Sequence, residues 1–197
     1  MNKPFSQSCE NNKWPILQVI ETVFVESTTV WEIGSGTGQH ACYFAQKLTH
    51  LRWQATDREE NLMGINSWID EAGLTNLPKS LALNVTDELW PCQQINALFT
   101  ANTLHIMHVQ EVESFFAGLS KYLTDNALLG IYGPFNYKGS YTSDSNQQFD
   151  QWLKARDPNS GIRDIEMIET LATAAELQII NDVSMPANNR LLVMQKN

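Results

Sequence analysis

Val30-Trp31-Glu32-Ile33-Gly34-Ser35-Gly36-Thr37-Gly38-Gln39-His40 is an apolar run that breaks into three alternating glycines. The run before the break, Thr28 to Ile33, is short, β-branched and aromatic, which fits a buried strand. Beyond the break, Ala41, Phe44, Ala45 and Leu48 recur at i, i+3, i+4 and i+7 and predict one face of a helix. A strand, a glycine turn and a helix gather backbone N–H groups and a helix N-terminus around one small volume. Glycine suits such a turn because a residue without Cβ lets the chain bend tightly and approach a ligand. The stretch predicts a cofactor cradle, with a tight bend that holds nothing as the simpler alternative.

Strand and helix alternate outward from this stretch. Residues 1–12 are polar and read as an irregular arm, and Pro15 to Phe24 predicts a helix with the proline in its first turn. Leu51 to Asp57 alternates as a second strand that ends on an acid. Leu62, Ile65, Ile69 and Ala72 mark a helix stopped by Gly73. Strands are predicted at Leu81–Val85, Ala97–Thr100 and Ala127–Tyr132, with a helix from Val112 to Leu123 between the last two. The alternation lapses after Gly133-Pro134. Lys138 to Asn146 is turn-rich, a short helix surrounds Phe149, Trp152 and Leu153, and another follows Asp164 as N-cap. Leu177–Ile180 and Arg190–Met194, joined by Pro186 to Asn189, predict an antiparallel pair at the sheet edge. The expected architecture is one α/β domain over residues 1–197, doubly wound around a mostly parallel sheet with helices on both faces. Residues 1–27 would form an N-terminal arm and helix, and residues 134–163 an insertion on the acceptor side.

Composition narrows the partners. The chain has 197 residues, 43% of them hydrophobic, and a formal net charge of −9 with no basic run. That charge argues against non-specific nucleic-acid binding, which needs Lys and Arg on phosphates. Cys9, Cys42 and Cys92 are widely spaced and form no zinc pattern, so free thiols in a reducing cytosol are expected. His105 and His108, at i and i+3, lack the Cys or acid cluster that would complete a metal site. No membrane-spanning run and no signal peptide are read, so a cytoplasmic monomer or homodimer is expected.

The glycines separate two nucleoside cofactors. A dinucleotide turn reads G-x-G-x-x-G, and Gln39 occupies the place of its third glycine. The pattern here is G-x-G-x-G with Glu32 two residues upstream, and Asp57 ends the next strand, where a carboxylate can accept from a ribose diol. This Glu-x-Gly-x-Gly-x-Gly with a strand-terminal Asp resembles motif I and its partner in class I S-adenosylmethionine-dependent methyltransferases.

The resemblance runs nearly end to end. Pro4-Phe5-Ser6, Asn11, Pro15-Ile16-Leu17, the glycine turn, Trp68-Ile69, Asn84-Val85-Thr86 with Trp90-Pro91, and Ala101-Asn102-Thr103-Leu104-His105-Ile106 look like one family. Tyr132-Gly133-Pro134-Phe135, Ser145-Asn146, Phe149-Asp150, Arg156-Asp157-Pro158, Gly161, Arg163-Asp164 and Met185 to Asn189 extend it. That family is the methyltransferase-like 26 group, a domain of unknown function. Membership implies a seven-stranded class I sheet with the last strand antiparallel, and S-adenosylmethionine as cofactor. Two positions depart from it: Asn84 stands where an adenine-binding Asp is usual, and Asn136 where a basic residue is usual. The amide oxygen of Asn84 can still accept from an adenine amino group.

Ligands of open α/β sheets lie at the carboxyl ends of strands, which selects the candidate residues. Glu32, Gly34, Ser35, Gly36, Gly38, His40, Asp57, Asn84, Val85 and Asn102 are the expected cofactor contacts. His105 is the candidate base, with packing in its turn as the alternative, and Tyr132 joins it as catalytic. Phe135, Asn146, Arg156, Asn188 and Asn189 are the expected substrate side, although Arg156-Asp157 reads equally as an ion pair and Asn188-Asn189 as a turn. Thr100-Ala101-Asn102-Thr103 lacks the Asn/Asp-Pro-Pro-aromatic motif of enzymes that methylate adenine or glutamine nitrogen, which disfavours those substrates. The expected activity is methylation of a small molecule. A catalytically silent cofactor-binding protein and an NAD-dependent oxidoreductase are the alternatives.

Overall fold

The computed structural model describes residues 3–197. The first half alternates α1 (Gln7–Val23), β1 (Thr29–Ile33), α2 (Gln39–Lys47), β2 (Arg52–Asp57), α3 (Leu62–Ala72), β3 (Leu81–Ala82) and β4 (Ile95–Ala101). The second half continues with α4 (Val109–Tyr122), β5 (Leu123–Gly133), β6 (Phe135–Asn136), α5 (Asp144–Arg156), β7 (Arg163–Asp164), α6 (Ile165–Ala174), β8 (Leu177–Met185) and β9 (Asn189–Lys196). Seven strands form one sheet in the order β3-β2-β1-β4-β5-β9-β8, and β6 pairs with β7 in a separate parallel ribbon. Strands are parallel from β3 through β5, while β9 runs antiparallel to both β5 and β8. The last strand is therefore inserted between β5 and β8 rather than lying outside them.

The two faces of the sheet carry separate cores, and the strands feed both by alternation. Leu98, Leu192 and Met194 pack with Phe115, Phe116, Leu119, Ile165 and Ile168 of α4 and α6. Their neighbours Phe99, Leu191 and Val193 turn the other way, to Ile16, Ile20, Phe44 and Ile65 of α1, α2 and α3. Strand order reverses between β1 and β4, so the loops that follow them diverge and open a crevice at the carboxyl edge of the sheet. Among the described residues, no helix is long and apolar enough to cross a membrane.

The N-terminal segment differs from expectation. Residues 7–12 are helical, capped by the Ser6 hydroxyl on Cys9 N–H, and Pro15 lies in the middle of α1 instead of its first turn. A mid-helix proline leaves Asn11 C=O without its i+4 donor, at a turn where Asn11 and Trp14 are exposed. Polar links hold the first two turns to the body. Gln39 accepts from Ser6 N–H at 2.6 Å and donates to Glu10 at 2.7 Å. Pro4 lies against Gly64, where a Cβ would come within 2.7 Å of its ring, and Trp68 donates to Pro4 C=O.

Two other elements are misjudged by pattern. The third strand shortens from Leu81–Val85 to Leu81–Ala82, because Asn84 turns the chain through bonds to Thr86 N–H and Asp87. The helix around Phe149 spans 13 residues, capped by Ser143 on Asn146 N–H.

Candidate active site

The crevice at the switch point is a cavity of about 700 Å³. Its floor is the turn after β1. Gly34, Gly36 and Gly38 all have positive φ, at 73°, 58° and 88°. They are glycine for different reasons. A Cβ on Gly34 would lie 2.8 Å from Thr103, and one on Gly38 3.1 Å from the backbone of Ile65, so these two allow turn and helices to pack. A Cβ on Gly36 would meet nothing within 4 Å and would project into open cavity. Gly36 is the residue whose missing side chain leaves room for a ligand.

Asp57 closes this end. Its Oδ2 accepts from Gly36 N–H at 2.7 Å, and its Oδ1 accepts from Arg58 N–H and Asn61 Nδ2. A carboxylate offers about four acceptor positions, so one remains free. Beyond it Leu83 and Val85 supply apolar wall, and Asn84, its oxygen shared with Thr86 N–H, lies between them. Asn102, in left-handed conformation at φ 57°, lines the opposite lip.

Glu32 does not reach the cavity. It is 2% exposed, and its Oε2 accepts from Trp53 Nε1 and Ser35 Oγ, both at 3.0 Å. Burial pushes its carboxyl up to about 7, against the lowering effect of those two donors. The folded protein thus holds the Glu32 proton where the unfolded chain would release it. Its contribution to stability is complete below pH 4.5 and is lost as pH rises through 7, amounting to about 3 kcal/mol at most. Replacing Glu32 with Gln is expected to flatten urea stability between pH 5.5 and 8 relative to the parent; parallel pH dependence in the two proteins would contradict this.

His40, at the start of α2, lines the cavity and joins it to α1. Asn12 Oδ1 lies 2.6 Å from His40 Nε2, and the Cys9 backbone is the ring's second partner. Burial holds the ring neutral, with its pKa lowered to about 4. An amide oxygen only accepts, so His40 Nε2 donates to Asn12 Oδ1. Tyr132, 3% exposed, points its hydroxyl at the side chains of Asn12 and Asn189.

His105 follows β4 and is 6% exposed, its ring edge-on to Phe149 with centroids 5.2 Å apart. Burial, helped by the Arg163 guanidinium, lowers its pKa to about 4. The one sealed side-chain polar atom without a partner among the described residues is Asn136 Oδ1. No hydrogen bond engages the His105 ring there, so its nitrogens open on the cavity. Arg163 holds the loop that carries His105 by donating to Leu104, Met107 and Asn159 carbonyls.

Not every expected residue comes to the cavity. Gly38 packs between helices, and Phe135, 1% exposed, belongs to the α4–α6 core because β6 pairing turns it inward. Arg156 is exposed and stacks on Trp152 at 4.6 Å, while Asp157 pairs with His108 at 2.8 Å. Arg156 does not line the cavity, and among the described residues it forms no ion pair with Asp157. Asn188 stands behind the wall and supports Asn146 with its carbonyl at 3.1 Å. Among the described residues, no group of three His, Cys, Asp or Glu side chains is placed to hold a metal. Missed by the sequence reading were Gln39 and Asn12, which lock the N-terminal segment over the cavity, and Phe149, whose aromatic wall faces His105.

A family model described as protein of unknown function (DUF938) matches residues 3–196. The chain belongs to that family. Solved structures resemble this DUF938 chain closely in fold. An O-methyltransferase family protein from Burkholderia thailandensis superposes with TM-score 0.82 at 15% identity, over 94% of this chain and 56% of that one. A mitomycin 7-O-methyltransferase gives 0.78 at 15% identity, over 88% and 50%. An O-methyltransferase family 2 protein from Planctomyces limnophilus, solved with apigenin, gives 0.74 at 16% identity, over 86% and 51%. The chain spans about half the length of these proteins. At such identities the likeness establishes the fold, that of class I methyltransferases, and fold alone does not fix activity.

Proposed function

We propose that this DUF938 chain is an S-adenosylmethionine-dependent methyltransferase of the methyltransferase-like 26 type, acting on a small molecule. The observation that carries the reading is Asp57 seated on Gly36 N–H at the open point of the cradle. A pyrophosphate would need that N–H and would meet a carboxylate there, whereas a cofactor that offers ribose hydroxyls and a positive centre is accommodated. The cavity volume suits a nucleoside with a small acceptor beside it.

S-adenosylmethionine supplies an electrophilic methyl group on a sulfonium. Gly34, Ser35 and Gly36 line its cradle, Asp57 keeps one acceptor position for the ribose, and Asn84 and Val85 flank the base. Asn102 and His40 close the sides. His105, neutral and unpartnered, takes the proton that the acceptor releases. Tyr132 stays in the Asn12–Asn189 network and fixes the wall behind the reacting groups. The Pro4-to-Asn12 segment covers the crevice and excludes water. Incubation with S-adenosylmethionine and a small-metabolite extract should release S-adenosylhomocysteine above the extract-free level. Binding of the cofactor without any release would leave the silent binding protein instead.

A further inference from the structure

Asn146 stands on the first turn of α5, one turn before Phe149, on the cavity wall. It is 5% exposed, and both amide hydrogens are committed: Nδ2 donates to Thr142 Oγ1 at 2.8 Å and to Asn188 C=O at 3.1 Å. A backbone carbonyl can only accept, so the amide orientation is fixed. The oxygen that remains has no partner among the described residues. It is not a sealed atom either, and it therefore opens on the cavity that Asn146 lines. A buried, oriented acceptor of this kind leaves a cost unless a donor meets it.

The surroundings set what that donor belongs to. Phe149, one turn after Asn146 on α5, lines the same cavity, with its ring stacked on Trp152 and edge-on to His105. Pro134, Ile106 and Met107 add apolar wall, and Glu111 is the charged side chain at this end. The nearby Arg163 spends its donors on backbone carbonyls behind the loop and does not line the cavity. Among the described residues at this end, no cationic side chain lines the cavity to pair with a carboxylate or phosphate on the acceptor.

Resting on the methyltransferase reading above, we propose that Asn146 is the specificity residue of the acceptor site. It selects an uncharged molecule that lies against Phe149, directs its reacting group to His105 and donates a second hydroxyl or N–H to Asn146 Oδ1. Catechol has this arrangement in its smallest form; 1,2-dimethoxybenzene keeps the shape without donors, and benzoate replaces them with an anion.

Titration of the three probes into S-adenosylhomocysteine-saturated protein, followed by NMR, tests the proposal. Catechol is expected to bind at least tenfold more tightly than either other probe, and Asn146→Leu to erase that preference while 1,2-dimethoxybenzene binds unchanged. Should Asn146→Leu fail to fold, Asn146→Ala, which removes the acceptor oxygen without adding bulk, is expected to narrow the preference at least threefold. Equal binding of the three probes, no binding of catechol, or a preference that survives both variants would overturn the assignment. Calorimetry with S-adenosylhomocysteine alone separates the two levels: no heat of binding there defeats the cofactor reading, whereas binding without probe selectivity defeats only the role of Asn146.

Discussion

Gly36→Val is expected to abolish S-adenosylmethionine binding while the protein stays folded. The two halves of that outcome come from different observations. A Cβ at Gly36 touches nothing within 4 Å, so the fold loses only the strain of a side chain at φ 58°, about 1–2 kcal/mol. The branched side chain then fills the space above the turn that Asp57 borders. Affinity should fall at least 100-fold. In a melting experiment at about 100 times the parent dissociation constant, the cofactor should add about 2.7 kcal/mol to the parent and nothing to the variant. Gly34→Ala provides the contrast: its Cβ would lie 2.8 Å from Thr103 at φ 73°, so this change should lower stability before any ligand is added. If Gly36→Val binds as the parent does, the cradle is elsewhere.

His105→Gln is expected to lower kcat by about 10² to 10⁴ with cofactor affinity changed less than threefold. The imidazole is the neutral, unpartnered base candidate in the cavity, and glutamine keeps polarity there without a basic nitrogen that can take a proton at neutral pH. The pH profile provides a second readout. Burial lowers the His105 pKa to about 4, so the base form persists from neutrality down to about pH 5 and is lost below that. Parent activity should be level over that range and fall on further acidification, in a limb that His105→Gln lacks. The same shift contributes stability above the ordinary histidine value of 6.5 that is lost as pH falls through 4. A variant with parental kcat would return His105 to a packing role.

The sheet was legible because its signals are local and apolar. Val30 to Ile33, Phe99 and Leu191 to Met194 alternate between two cores, and such alternation survives in sequence as a pattern of period two. Gly73 stops α3 at φ 58°, as a glycine after the last periodic residue should. The first two turns of α1 were not legible, since nothing apolar marks residues 7–12. They are helical because Gln39, His40 and Ser6 supply polar partners from 28 to 33 residues away or at the cap. Gln39 was read only as an absent glycine, yet its side chain is what ties the N-terminal segment to α2.

The candidate site divides the same way. Gly36, Asp57 and His105 follow strand ends, a position that sequence reveals directly. Phe135, just after the fifth strand, and Arg156, in a motif of the family resemblance, are turned elsewhere by β6 pairing and helix phase. Asn146 was identified as a residue, but its free oxygen depends on Thr142 and on Asn188, 42 residues away, and no local pattern encodes that.

Calorimetric titration of the purified protein with S-adenosylmethionine, and in parallel with NAD, tests the central claim most directly. Saturable one-to-one binding of S-adenosylmethionine, absent in Gly36→Val, with no heat from NAD, is the predicted result. Binding of NAD in its place, or of neither, would contradict the account.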